Sequence, residues 1–267
     1  MTVPALPTRH ALLPDRGRSR AVLVGCDADT GSRPSLGGPE NLTAALATAL
    51  TPGGPGGAFR RGNTRVLRGP RRPADVLDAL RRAAEEASDV LLFSYAGSGF
   101  LHDGGLALGV TETDPLRPAD TGVDLDAVAE IMRASRAARP LIVLDCDHAA
   151  PATARFTGTA GAPAVMAADS SSFRPMADHF TETLVEGLTH GVQDGPEVLD
   201  LATLQNAVEA AYTLIRYHVE NEHIGGPARV LRSGGRELAL GVNPAFGRTL
   251  ARALPPHPDV VDAQEAW

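Results

Sequence analysis

The chain has 267 residues, 43% of them hydrophobic, and a formal net charge of -7. That length and apolar content suit one α/β domain with a sizeable core and exclude wholesale disorder, while the negative charge argues against general affinity for nucleic acid. All 25 basic residues are arginine, so a P-loop lysine, a Schiff-base lysine and a lysine general base are all excluded.

Two cysteines, Cys26 and Cys146, are too few for a disulfide scaffold. Each ends an apolar run, which reads as a buried free thiol. No basic-then-apolar leader opens the chain, and no apolar run approaches the length of a membrane span. A reducing cytoplasm without a membrane partner is the expected setting.

In chain order, residues 1–19 are rich in Pro and Arg without period, an arm that orders on contact or a loose tail. The run at 21–26 is a first strand. A helix follows over 37–50, with Pro39 and Glu40 early and Leu42, Ala45, Leu46 and Leu50 on one face. After a Gly/Pro-rich turn at 51–63 comes a second strand beginning at Thr64. Residues 72–87 are strongly amphipathic, with Val76, Leu77, Leu80 and Ala84 as the apolar stripe.

A third strand covers 89–97, and 105–114 reads as a short strand or hairpin arm. A helix at 124–135, a fourth strand at 139–147 and a fifth within 162–172 continue the alternation. Helices over 178–191 and 200–220, two short strands at 227–235 and 237–243, and a polar tail complete it. Strands alternating with helices predict a mostly parallel sheet covered on both faces. No internal repeat or domain boundary is visible inside 20–245, which leaves 1–19 as an arm and 246–267 as a tail.

Two of the apolar runs end in polar residues. "LLFSYAGSGF" delivers Ser98, and "LIVLDCDHAA" delivers Asp147. Strand ends of a parallel sheet are where α/β enzymes keep their chemistry. A hydrolase elbow needs glycine two places either side of the serine, but Ala96 and Phe100 stand there. Gly97 and Gly99 supply only half of a dinucleotide loop. "LDCDHA" loosely matches the D-x-D run of haloacid dehalogenase-type phosphatases, where one carboxylate attacks phosphorus, but that motif normally opens its domain. Asp27 and Asp29 lie in half a calcium loop with its glycine one place early and no acid at the twelfth position. No cofactor or metal is expected.

The order of elements, with "YAGSG" after the third strand and "DCDHAA" after the fourth, resembles the bacterial caspase-like peptidases, relatives of caspases and metacaspases, over about residues 19–245. The resemblance implies a caspase-like three-layer sandwich. Where that family has "YAGHG" and "DCCxSG" or "DSCHSG", this chain has Ser98 in the place of the catalytic histidine and Asp147 in that of the nucleophilic cysteine. They stand 49 residues apart, against about fifty for the caspase pair. Cys146 is one place early, and alternation along a strand turns it away from the cleft.

A cysteine peptidase needs a thiolate and a histidine base, and neither replacement supplies one. The resemblance therefore implies a pseudopeptidase that binds a protein or peptide partner, such as an active caspase-like relative or a signalling assembly. Gly97, Gly99, Cys146, His148, Ser170, Ser171 and Ser172 would line its cleft. The alternative is a hydrolase of altered chemistry, peptidase or phosphatase-type, using Ser98, Asp147 and a nearby histidine, His102 or His148, both expected in loops.

Overall fold

A computed structural model of the chain describes residues 12–26, 38–51, 57–103, 105–149, 156, 161–168, 179–218, 230–233 and 238–247. Five segments form parallel strands: β1 (Arg20–Cys26), β2 (Thr64–Arg68), β3 (Val90–Gly97), β7 (Arg139–Cys146) and β8 (Ala164–Ala168). With the antiparallel edge strand β10 (Val230–Ser233) they make a six-stranded sheet in the order β10-β8-β7-β3-β1-β2.

The central strands are covered on both faces, which is why their sequences are unbroken apolar runs rather than alternating ones. Successive residues still go to opposite layers. Ala21, Leu23, Leu92, Leu141 and Val143 pack against α1 (Pro39–Leu50), α5 (His179–His190) and α6 (Leu201–His218). Val22, Val24, Phe93, Ile142 and Leu144 pack against α2 (Pro73–Glu86) and α4 (Leu125–Ala134). Helix, sheet and helix form the three layers expected from the sequence.

The predicted helices lie within two residues of their expected ends. Among the described residues, several short elements were not expected, including a single 3-10 turn at Arg61–Asn63. β4 (Gly99–His102), β5 (Gly105–Leu108) and β6 (Val123–Asp124) form a small antiparallel sheet, of which the sequence suggested only β5. The four-residue α3 (Pro118–Thr121) precedes β6, and β9 (Val198–Asp200) pairs with β11 (Ala239–Val242). His102, expected in a loop, closes β4 and pairs in register with Gly105. Among the described residues no helix is long and apolar enough to cross a membrane.

The amino end of the sheet is fastened by an ion pair. Arg139 opens β7, and Asp89 immediately precedes β3. They meet in a two-pronged contact of 2.8 and 2.9 Å, with side chains only 11% and 13% exposed. The same guanidinium donates to the carbonyls of Leu12 and Leu13, and Asp89 accepts from the amide of Asp15 and the hydroxyl of Ser19. Residues 12–19 are thereby tied across the starts of two central strands.

Arg139→Ala leaves the Asp89 carboxylate largely buried without this cation. It is expected to cost about 3–5 kcal/mol, read as a lower urea midpoint, and to make the chain near residue 15 susceptible to limited proteolysis. Retention of both wild-type stability and protease resistance would contradict the role given to the pair.

Candidate functional site

The strand register sets the site. Cys26, Gly97 and Cys146 stand level at the carboxyl ends of β1, β3 and β7. The next residues, Ser98 and Asp147, therefore open two neighbouring loops at the same edge. Gly97 has a φ of 154°, and a Cβ on it would collide with the Cys26 carbonyl oxygen and stand 2.7 Å from the Tyr95 hydroxyl. Gly99 is buried, and a Cβ there would strike the carbonyl oxygen of Asp147 and come within 3.3 Å of Cys146 Sγ. Both expected cleft glycines are thus required by close approach.

Tyr95 holds the first loop from below. Its ring is fully buried, and its hydroxyl shares one proton between the carbonyls of Ser98 (2.9 Å) and Gly109 (2.8 Å). Burial above all pushes its ionisation well above the ordinary tyrosine value, with Cys146, Cys26 and Asp147 adding to the effect. The Ser98 carbonyl also accepts the Gly109 amide at 2.9 Å. The sequence offered one visible signal for this role: a tyrosine inside an otherwise apolar strand, which needs a partner for its hydroxyl.

Asp145 and Cys146 leave β7 on opposite faces. The Asp145 carboxylate accepts from the amide (3.0 Å) and hydroxyl (2.6 Å) of Thr181 in the first turn of α5, an arrangement that satisfies a free helix-end donor and suits the helix dipole. Cys146 goes into the layer of α2 and α4, where it is 1% exposed. Burial, then the charges of Asp145 and Asp147, push its thiol well above the usual range. Both cysteines are buried and neither is in a disulfide, in line with their sequence reading.

Ser98, Asp147 and His148 are half-buried at the edge. Among the described residues, nothing bonds to the Ser98 hydroxyl, the Asp147 carboxylate or the His148 ring. His148 has a φ of 61°, a left-handed conformation that costs a non-glycine residue roughly 1–2 kcal/mol, and Ala149 behind it is fully buried. No group of three His, Cys, Asp or Glu among the described residues could hold a metal ion. Ser170, Ser171 and Ser172, and likewise Asp27 and Asp29, lie outside the described residues.

Two measurements check this geometry. Gly99→Ala drives a methyl group into the Asp147 carbonyl and is expected to destabilise the protein by about 1–3 kcal/mol; a neutral change in thermal unfolding would show that the two loops do not touch. Thiol titration of the native protein at pH 8 should leave Cys146 unreacted until denaturant is added, because burial denies access and the raised pKa removes thiolate at that pH. Rapid native labelling at Cys146 would refute both.

No protein-family model matches the sequence, and no curated protein matches it. Solved structures do. Pro-sf-caspase-1 is 14% identical with a TM-score of 0.55, over 90% of this chain and 98% of that one. Caspase-1 from Spodoptera frugiperda is 16% identical with a TM-score of 0.54, over 86% and 92%. At these identities the likeness is one of fold: the chain is a caspase-like α/β sandwich.

Proposed function

We propose that this chain is a caspase-like pseudopeptidase, a non-catalytic module that binds a protein or peptide partner at the carboxyl edge of its sheet. The observation that carries the reading is the pair of level strand ends opening into Ser98 and Asp147. On this reading Ser98 stands in the place of the family's histidine and Asp147 in that of its cysteine.

The chemistry of the two side chains supports it. A serine hydroxyl does not exchange a proton near neutral pH, and an ionised carboxylate is a poor nucleophile toward an amide. Cys146 does not replace the missing thiol, since it is buried on the far side of the strand with its ionisation suppressed. His148 adjoins Asp147 in the turn, and among the described residues no hydrogen bond links it to Ser98 or to Asp147, so this histidine makes no nucleophile–base contact of the kind a hydrolase uses. What the edge offers is a hydroxyl and a carboxylate with free hydrogen-bonding capacity, suited to holding a bound segment. An active caspase-like relative or a signalling assembly fits as the source of that segment.

The test restores the chemistry. Ser98→His together with Asp147→Cys should be labelled by a thiol-directed peptide warhead far faster than either single variant, because nucleophile and base act as a unit. The wild type should turn over no Arg-, Lys- or Asp-directed peptide substrate. Wild-type turnover that Ser98→Ala or Asp147→Ala abolishes would replace this reading with an altered hydrolase. A folded double variant whose new cysteine reacts no faster than an exposed thiol would show that the cleft is not preserved.

A further inference from the structure

The opposite edge of the sheet, two strands away from β3, carries a second surface. Among the described residues β2 pairs only with β1, so one side of it is open. Gly69 donates its amide to the Gly25 carbonyl of β1 at 2.8 Å. Backbone groups alternate in direction along a strand, so those of Leu67 and Arg65 also face β1, and those of Val66 and Arg68 face outward. Among the described residues nothing bonds to the outward backbone groups of Val66 and Arg68.

This edge borders a groove of about 800 Å³ between β2 and α2. Its helix wall presents Ala79 and Ala83, four residues apart on one face, and their small side chains leave room for a chain lying beside β2. The charges along the groove are unevenly matched. Each acid already has a cation: Glu86 meets Arg20 at 2.8 Å, Asp78 meets Arg81 at 2.7 Å and Asp75 meets Arg72 at 3.7 Å. Arg65 and Arg82 are exposed and have no acidic partner among the described residues. In a chain of net charge -7, this strand edge is flanked by two guanidinium groups that have no acidic partner among the described residues.

We propose that the open edge of β2 is a docking site for an extended acidic peptide segment of a partner protein, which adds to the sheet as a further strand. Outward backbone groups of Val66 and Arg68 supply the main-chain hydrogen bonds, and alternate side chains of the segment lie over Ala79 and Ala83. Arg65 and Arg82 receive its carboxylates and set the preference for acidic sequence. This site is independent of the cleft at Ser98 and Asp147, so either proposal can fail without the other.

The experiment uses the full chain and a capped, fluorescent peptide of about seven residues, Asp-Thr-Val-Thr-Val-Thr-Asp, whose aspartates and valines share one face of the strand. Anisotropy should show saturable binding that weakens as salt is raised. Replacing aspartate by asparagine in the peptide, or making Arg65→Glu with Arg82→Glu in the protein, should weaken binding by about tenfold or more. Methylating alternate peptide nitrogens should abolish it, and this arm leaves the protein's own fold untouched. Absence of binding at about 1 mM peptide, or binding indifferent to both the charge changes and the methylation, overturns the proposal. So does self-association of the chain that the double arginine change abolishes, which would seat a second copy on this edge instead.

Discussion

The level row of Cys26, Gly97 and Cys146 is the constraint on which the site depends. Because the middle residue has no side chain, the Cys26 carbonyl and the Tyr95 hydroxyl can occupy the space beside it. Tyr95 then reaches over the strand end to fix the carbonyls of Ser98 and Gly109, and the β4–β5 hairpin starts from a defined point. Gly99 in turn lies against the Asp147 carbonyl, so the two loops settle against each other. The same row keeps the cysteines apart. Two inter-strand spacings of about 4.8 Å separate their Cα atoms by more than the 7 Å or so that a disulfide tolerates.

The period of two along β7 divides the labour at its end. Asp145 turns toward α5 and ties down its first turn through Thr181, whereas Cys146 turns into the layer of α2 and α4. Exchanging those directions would bury the carboxylate among apolar residues and leave the helix end without its acceptor, a loss of the kind that costs several kcal/mol. The polar residues at the carboxyl edge therefore fall into two groups. Tyr95 and Asp145 are structural, each hydrogen-bonded inside the fold. The side chains of Ser98, Asp147 and His148 contribute no bonds to it among the described residues.

Much of this was legible beforehand because the strands of a doubly covered parallel sheet announce themselves as apolar runs, and α2 and α4 as amphipathic stripes. The inward turn of Cys146 followed from its one-residue offset. β4, β6 and β9 were missed because each spans two to four residues, too few to establish a period of two, and β9 finds its partner β11 some forty residues away. The clasp of Asp89 and Arg139 was invisible for another reason. Its partners are fifty residues apart and meet only because β3 and β7 run in register. An aspartate inside the apolar run of β7 was the available sign of Asp145, but its partner Thr181 lies on a helix whose docking the sequence does not state.

Stability and surface chemistry are separable in this architecture. The forces that hold the sheet act in its two apolar layers, at the Asp89–Arg139 clasp on its amino edge, and at Tyr95 and Asp145 just beneath its carboxyl edge. None of them runs through the side chains of Ser98 or Asp147. Substitution at those two positions therefore changes the chemistry of the edge while leaving the register that builds the edge intact. A fold arranged this way can carry different side chains at those two positions and keep the shape of the edge, because the backbone that shapes it is held from below by Gly97, Gly99 and Tyr95.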